Sequence, residues 1–590
     1  NEILNAVYLR KWYNMDSYDG NGLLLSSESN LLLENGELRR MNDTEEKKRK
    51  GDDFLLQGAI LAAAGIIVRF IGLIYKIPMT RILGDEGIGY YNTAYEIYNI
   101  GLILSSYSLP LAISKLLAGY EYKGERENSR RVLVCGGVLG AVAGGLMTAV
   151  LLAGAEKIAE VIFKSPGSAL PLRVMAPTIL VFSLMGVLRG YFQGHGNMVP
   201  TSVSQIVEQL VHAAVSIWAS FDFMRRFAGK ENPASYGAAG GTLGTFAGAA
   251  AAFVLLAVLT AKHVTKQKRM HSAKAAGEKS EETASLKHIF MLLFLTVLPI
   301  ILSQTVYQLS GTVDNALFGN LMSAKGLDEA QRQSMLGIYS GKYRLLTNVP
   351  VAIATSLGAS MIPSIVMSRL GKDTEEVRHK IGITIKFNML LAIPCAVGMG
   401  VLASPVMQLL FGDSRKISSD LLRLGSCAVV FFSLSTVTNA VLQGIDLMRK
   451  SVTHSAVSLL IHVIFVYVML KWLDWGVYGL VIGNVTFALV VCILNWRAIG
   501  RELGYRQEVR RTFLLPLCAA TAMGASTAAV YSLTRLWAGN TVGVIAAVCA
   551  GIIVYGAGIL KLKAVTREEL EEMPLGRSLS LVFFRKASAG

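Results

Sequence analysis

The chain has 590 residues, is 52% hydrophobic and only 17% charged, with a mean hydropathy of +0.46. Ordinary soluble domains carry about 25% charged residues, so a soluble globular protein is excluded. The net charge of +16 raises nucleic acid as a partner, but the basic residues gather in short loops between apolar runs, about 24 on one side and about 14 on the other, which is membrane topology.

A spanning helix needs about 20 mainly apolar residues, because the hydrocarbon core is about 30 Å thick and each residue rises about 1.5 Å. Residues 1–53 open on Asn1 and show no clear period. They are expected to be a disordered tail or to lie outside the natural start, with Met41 a candidate opening. The triplets at 23–25 and 31–33 are too short for a signal h-region, so the first span would direct insertion. Six apolar runs follow, at 54–83, 90–119, 132–154, 170–193, 199–224 and 236–263. They predict a first lobe over 54–263.

The stretch at 264–286 is basic, then acidic, and rich in small residues, as a cytoplasmic linker would be. A second lobe, 287–498, is predicted from runs at 287–321, 333–367, 379–403, 420–444, 451–472 and 476–496. Two more runs, 512–536 and 541–562, give a pair of helices over 512–563, and 564–590 remains as a C-terminal tail. About fourteen spans result. The fold class is an all-α integral membrane protein, since lipid cannot satisfy an open sheet edge. The charge distribution places both termini in the cytoplasm.

The six cysteines, Cys135, Cys395, Cys427, Cys492, Cys518 and Cys549, all fall inside apolar runs. No CxxC or ligand-spaced His accompanies them, so they read as buried thiols and no metal is expected.

The halves echo each other. "FQGHGNMVPTSVSQIVEQLVH", Phe192 to His212, lies without gaps on "LQGIDLMRKSVTHSAVSLLIH", Leu442 to His462, a shift of about 250 residues. A second echo pairs Gly89, Tyr91 and Tyr95 with Gly337, Tyr339 and Tyr343. Repeated helical halves are typical of transporters, with the substrate site at their interface.

Polar residues form stripes within these runs. Arg69, Lys76 and Thr80 share one side of the first span, and Asn92, Glu96 and Asn99 one face of the second. Thr201, Ser204, Glu208 and His212 align on the fifth. Gln304, Gln308 and Asn315 align on the seventh, with Asp314 beside them, and Ser340, Arg344 and Thr347 on the eighth. Intramembrane charge is costly, so these groups should face protein or a water-filled cavity. Interhelical hydrogen bonding accounts for the neutral members equally well. For the cations there are two further alternatives, Lys76 or Arg69 snorkelling to the interface and Arg344 pairing with Asp314 or Glu96. Cations sharing a cavity would suit a large anion such as a diphosphate, for which Arg is a planar fork and Lys a point charge. No Walker loop or HExxH motif is present, so movement of a ligand is favoured over catalysis, with no resident cofactor.

The segments "RGYFQGHGNMVPTSVSQIVEQLVH", "VRFIGLIYKIPMTRILGDEGIGYY", "LPLAISKLLAGYEYKGERENSRR" and "YRLLTNVPVAIATSLGASMIPS" resemble the MurJ and stage V sporulation protein B branch of the MOP (multidrug, oligosaccharidyl-lipid, polysaccharide) exporter superfamily. The resemblance spans about residues 54–562. It implies a V-shaped flippase of two six-helix lobes around a central cavity, plus two C-terminal helices whose groove holds a lipid tail. The implied cargo is an undecaprenyl-diphosphate-linked saccharide, for close relatives the peptidoglycan precursor lipid II. Arg69, Lys76 and Arg344 stand where such relatives bind the diphosphate and sugar head group.

Asn92, Glu96, Gln205 and Asp314 are candidate cavity or gate residues, with Arg189, Gln193 and Glu208 lining or latching the cytoplasmic mouth. A clasp between two helices, without contact to cargo, is the alternative for that mouth. A proton or sodium ion on Glu208, Glu96 or Asp314, or the membrane potential, would drive the cycle of a monomer in the cell membrane, with no nucleic-acid partner. The rival readings are a flippase for another polyprenyl-linked oligosaccharide, a cation-coupled multidrug exporter and a membrane glycosyltransferase.

Overall fold

A computed structural model describes residues 29–272, 284–371, 373–566 and 569. The chain divides into two units, Asn1–Gly58 and Ala59–Gly590. In the first, helical backbone begins at Ser29, upstream of the expected start at 54. Residues 1–28 of the expected tail lie outside the described residues, as do 273–283 of the linker and most of 564–590.

Among the described residues every regular element is a helix. In chain order the α-helices are α1 Ser29–Ser105, α2 Leu109–Tyr122, α3 Arg126–Lys157, α4 Ala169–Met175, α5 Thr178–Gly194, α6 Val199–Arg226 and α7 Pro233–Ser272. The second half holds α8 Leu286–Ala324, α9 Glu329–Gly337, α10 Arg344–Leu370, α11 Thr374–Val401, α12 Ala403–Phe411, α13 Lys416–Gly425, α14 Ala428–Gly444, α15 Met448–Lys471 and α16 Val477–Leu503, and α17 is Leu515–Lys561. Three π-helical turns, Ile158–Ile162, Ile338–Tyr343 and Arg510–Leu514, adjoin α3, join α9 to α10 and precede α17.

Nine stretches among the described residues are long and apolar enough to cross a membrane. The expected count of fourteen is not established by them, because several predicted runs merge and others divide. The first two runs merge in α1, which is broken only at Gly84, whose φ of 67° needs a residue without a Cβ. The last two merge likewise in α17 around Gly539, at φ 76°. The run at 90–119 divides at residues 106–108, just before Pro110, where a missing N–H is tolerated in a helix's first turn. The run at 170–193 divides between α4 and α5 at Ala176 and Pro177. Helix α12 lies where a loop was expected.

Small residues let the helices approach closely. A Cβ on Gly240, Gly244 or Gly248 of α7 would run into the backbone of α6. The apolar side chains gather in several buried clusters. Leu109, Ile113, Leu117 and Met185 belong to one, and Ile381, Ile385, Met389 and Val437 to another.

The two halves meet where the C-terminal part of α1 packs on α9 and the π turn that follows it. A Cβ on Gly89 would collide with the carbonyl of Gln333, and one on Gly337 with the carbonyl of Asp85. The contact is therefore reciprocal, and it explains the second sequence echo: each glycine admits the backbone of the repeat-related helix. Tyr91 stacks on Tyr95 at 6.1 Å, and Tyr339 lies 5.6 Å from Tyr343.

Candidate functional site

One turn beyond the glycine contact, polar side chains take over. Asn92 donates to Ser340 Oγ at 2.9 Å, and Arg344 reaches Glu96 at 3.2 Å, each pair separated by 248 residues. The spacing of four on both helices places the two pairs on successive turns of facing stripes. A cavity of about 150 Å³ opens beside them, lined by Glu96, Gln308, Asp314, Arg344, His462 and Asn484 among others, with Phe432 and Phe487 closing its wall.

Glu96, Asp314 and Arg344 thus come together as cavity residues. Arg344 is not free, since its guanidinium is shared with Glu96 and lies 5.9 Å from the Tyr339 ring centre. Asp314 is held by His462 at 2.7 Å and by the Tyr339 hydroxyl at 3.4 Å. Lys76 stands on the neighbouring stretch of α1 with its ammonium 5.9 Å from the Tyr95 ring centre. It has no hydrogen-bond or ion-pair partner among the described residues, although it lies within the electrostatic reach of both Glu96 and Arg344.

Arg69 points elsewhere. Its guanidinium donates to the Ala352 carbonyl at 2.6 Å and the Ser356 hydroxyl at 3.2 Å, tying α1 to α10 outside the cavity lining. Seven residues separate it from Lys76, about 10 Å along a helix, so one face does not mean one site. Arg189 of α5 binds Glu208 of α6 at 2.7 Å and Ser204 at 3.1 Å. These three form an interhelical clasp away from the cavity. Gln193 and Gln205 are half-buried and are not among the lining residues. Three of the cysteines, Cys427, Cys518 and Cys549, are exposed rather than buried, because an apolar helix face toward lipid reads in sequence like one toward the core.

Sequence reasoning missed a charged cluster at the end of the bundle where α1 breaks. Lys342, 4% exposed, lies 2.6 Å from Asp85 of the first half and 2.5 Å from Asp413 of the second. Arg415 pairs with both of those carboxylates, and Ser418 donates to Asp413 at 2.6 Å. Arg81 caps the last carbonyls of α12, at Leu409 and Leu410. Nearby, Arg332 donates to the Lys164 carbonyl at 2.7 Å, and Glu329 accepts from the Gly167 N–H at 2.8 Å. The turns carrying these groups give no periodic signal. The only cue was "GDEG" at residues 84–87, a charged turn between two apolar runs.

The histidines aligned by the first echo have different partners. His212 lies 3.3 Å from the Tyr75 hydroxyl and 3.3 Å from the Thr245 hydroxyl. His462 bridges Asp314 and, at 2.8 Å, the Gly483 carbonyl.

Comparison with known proteins places this architecture. Lipid II flippase MurJ of Bacillus subtilis is 28% identical over 482 residues, 79% of this chain and 86% of that protein. Stage V sporulation protein B of the same organism is 23% identical, over 88% of this chain and 98% of the relative. A solved structure of lipid II flippase MurJ in an inward closed conformation superposes with a TM-score of 0.61 at 14% identity, covering 87% of this chain and 100% of that one. Both MurJ proteins are named as lipid II flippases. Residues 299–468 match the MatE family. Residues 55–370, more than half of the chain, match the family described as polysaccharide biosynthesis protein, and the chain belongs to that family.

Proposed function

We infer that this protein is an alternating-access flippase that moves a polyprenyl-diphosphate-linked saccharide, with lipid II the leading cargo, from the inner to the outer leaflet of the cell membrane. The observation that carries the reading is Lys76. A half-buried ammonium with no partner among the described residues stands beside the Glu96–Arg344 pair, and an intramembrane cation without a counter-ion calls for an anionic ligand. A diphosphate would satisfy Lys76 directly and compete with Glu96 for Arg344.

At about 150 Å³, the cavity is smaller than the roughly 300–1,000 Å³ of sites that hold drug-sized ligands. Entry of a saccharide head group therefore requires the halves to part. On the charge distribution, the sealed end around Asp85 and Lys342 faces outward, both termini are cytoplasmic, and the cargo enters from the cytoplasmic side. Its tail remains in lipid. One copy carries both halves and works as a monomer. A ligand shifts the balance between orientations only by binding one better than the other, so membrane potential or a coupling ion supplies the second bias.

Export of an organic cation is a second reading, drawn from Phe432, Phe487, Glu96 and Asp314 in the lining. Both carboxylates already have partners, Arg344 and His462, which removes its electrostatic basis. The test is rescue of a strain depleted of its lipid II flippase. Wild-type protein should restore growth, and Lys76→Gln, expressed at the same level, should not. Failure of the wild type despite good expression moves the assignment to another polyprenyl-linked oligosaccharide, and full rescue by Lys76→Gln removes the anion site.

A further inference from the structure

His462 and Asp314 are 1% and 3% exposed, and both line the cavity. Their hydrogen bonds determine where the protons must be. The partner of His462 Nδ1, at 2.8 Å, is the Gly483 carbonyl, which can only accept, so Nδ1 carries a proton. A Cβ at Gly483 would lie 3.1 Å from the imidazole ring, so glycine there leaves the ring room to approach. On the other side of the ring, Nε2 is 2.7 Å from Asp314 Oδ1. A lone pair facing a carboxylate oxygen at that distance is repulsive, so a second proton lies between them. The other carboxylate oxygen accepts from Tyr339, whose hydroxyl in turn accepts from Asn484 at 2.9 Å.

This second proton is the mobile one. With it the pair is neutral, and without it the pair carries one negative charge into a cavity that already holds Glu96 and Arg344. The titratable groups facing the pair are Tyr339 and Tyr343 from the π turn, Arg344 from α10 and Glu96 from α1. A purely structural role would be met by neutral partners, as it is at the repeat-related His212, which has Tyr75 and Thr245. Only the second-half histidine of this repeat-related pair has a carboxylate partner and a place in the lining of this cavity.

We propose that the Asp314–His462 pair is a proton-binding site that sets the affinity of the cavity for its anionic ligand. When the proton is present, Lys76 and Arg344 outnumber Glu96 in charge. When it leaves, Asp314 competes with the ligand for Arg344, and the anion is held less tightly. Linkage makes the effect reciprocal: binding of the anion draws a proton onto the pair.

The proposal rests on the diphosphate reading of the cavity, and the experiment separates the two. The probe is a short-chain polyprenyl diphospho-sugar, whose doubly esterified diphosphate keeps its charge between about pH 5 and 8, the range over which His titrates. Binding to the full chain in nanodiscs is followed calorimetrically in buffers of different ionisation enthalpy. Affinity should fall on the order of tenfold as pH rises, a typical coupling between sites, with proton uptake on binding. Asp314→Asn and His462→Gln should still bind the probe but take up no proton.

Wild-type binding without pH dependence, or proton uptake retained in both variants, overturns the proposal and leaves the cargo assignment intact. Absence of binding at every pH overturns the cargo assignment instead. In that case nitrogen chemical shifts of His462 in the ligand-free protein decide: the Nε2 proton should be lost as pH rises, and an imidazole fixed in one state throughout rejects the site. The same spectra of the variants identify any that have failed to fold.

Discussion

Glu96 and Arg344 occupy equivalent positions in the two halves, 248 residues apart, and each is the other's partner across the repeat interface. The same holds for Asn92 and Ser340, so the pseudo-twofold axis passes between these pairs. Two repeats of one ancestral segment would place identical residues against each other there. Divergence to opposite charges turns a like-charge contact into an ion pair.

That position on the axis predicts the outcome of a charge exchange. Arg344→Glu sets two carboxylates against each other and should destabilise the protein by about 3 kcal/mol or more, as loss of a buried pair's partner does. Combining it with Glu96→Arg should restore most of that, because the equivalent positions offer the new pair nearly the same geometry. Tm in detergent for the single and double variants provides the check. A double variant no more stable than Arg344→Glu contradicts the equivalence.

The reciprocal glycine contact predicts a gate set by sterics. Gly337→Ala puts a methyl group into the Asp85 carbonyl, and the neighbour is backbone that cannot rotate away. The halves should separate at this end. Spin labels at the exposed positions Glu160→Cys and Lys416→Cys, with the exposed Cys427, Cys518 and Cys549 replaced, should report a longer distance in the Gly337→Ala protein. An unchanged distance distribution contradicts the contact.

The cluster around Lys342 should keep that end closed over the physiological pH range. Burial alone would raise the Asp413 carboxyl, but hydrogen bonds from Arg415, Lys342 and Ser418 hold it well below the usual carboxylate range. A carboxylate depressed in the folded protein contributes stability above its unfolded value of about 3.9, and loses it only as pH falls through the lower folded value. The same spin-label distance should therefore be constant between about pH 5 and 8. Lys342→Met leaves Asp85 and Asp413 facing each other with only Arg415 between them and should open the end at neutral pH. Any effect of pH on anion binding in that range then originates elsewhere than in this seal.

How much of this was legible in the sequence follows from the physics of each signal. Apolar length identified the helical runs, and four-residue spacing gave the facing stripes of Asn92 with Glu96 and Ser340 with Arg344. Sequence spacing reports direction but not depth, which is why Arg69, on the same side as Lys76, was grouped with it although it bonds to Ala352 and Ser356. The positive-φ glycines in α1 and α17 fall between runs that the apolar pattern separates, but the helices continue through them. The Asp85, Lys342 and Asp413 cluster assembles from three turns far apart in the chain, and no local pattern encodes such a meeting.

The last relationship concerns the segment beyond α17. Lys386 of α11, 3% exposed, has its ammonium 2.8 and 2.7 Å from the two carboxylate oxygens of Glu569. Glu569 also accepts from the Thr566 N–H at 2.9 Å, while its own N–H donates to the Thr566 hydroxyl at 3.2 Å, a reciprocal capping arrangement. Burial would raise the Glu569 carboxyl, but Lys386 and the Thr566 N–H hold it below its ordinary value. Its stabilising contribution is present above the unfolded value of about 4.3 and disappears as pH falls through the folded one.

Glu569→Gln should therefore lower Tm at neutral pH, by the equivalent of about 3 kcal/mol, the low end for a buried pair because Glu569 is only half-buried. The difference from wild type should vanish in acid. Lys386→Met in the Glu569→Gln background should recover most of the loss, since the penalty lies in the unpaired buried ammonium. Equal Tm values for wild type and Glu569→Gln at neutral pH would mean that the C-terminal segment leaves Lys386 solvated in the membrane-embedded protein.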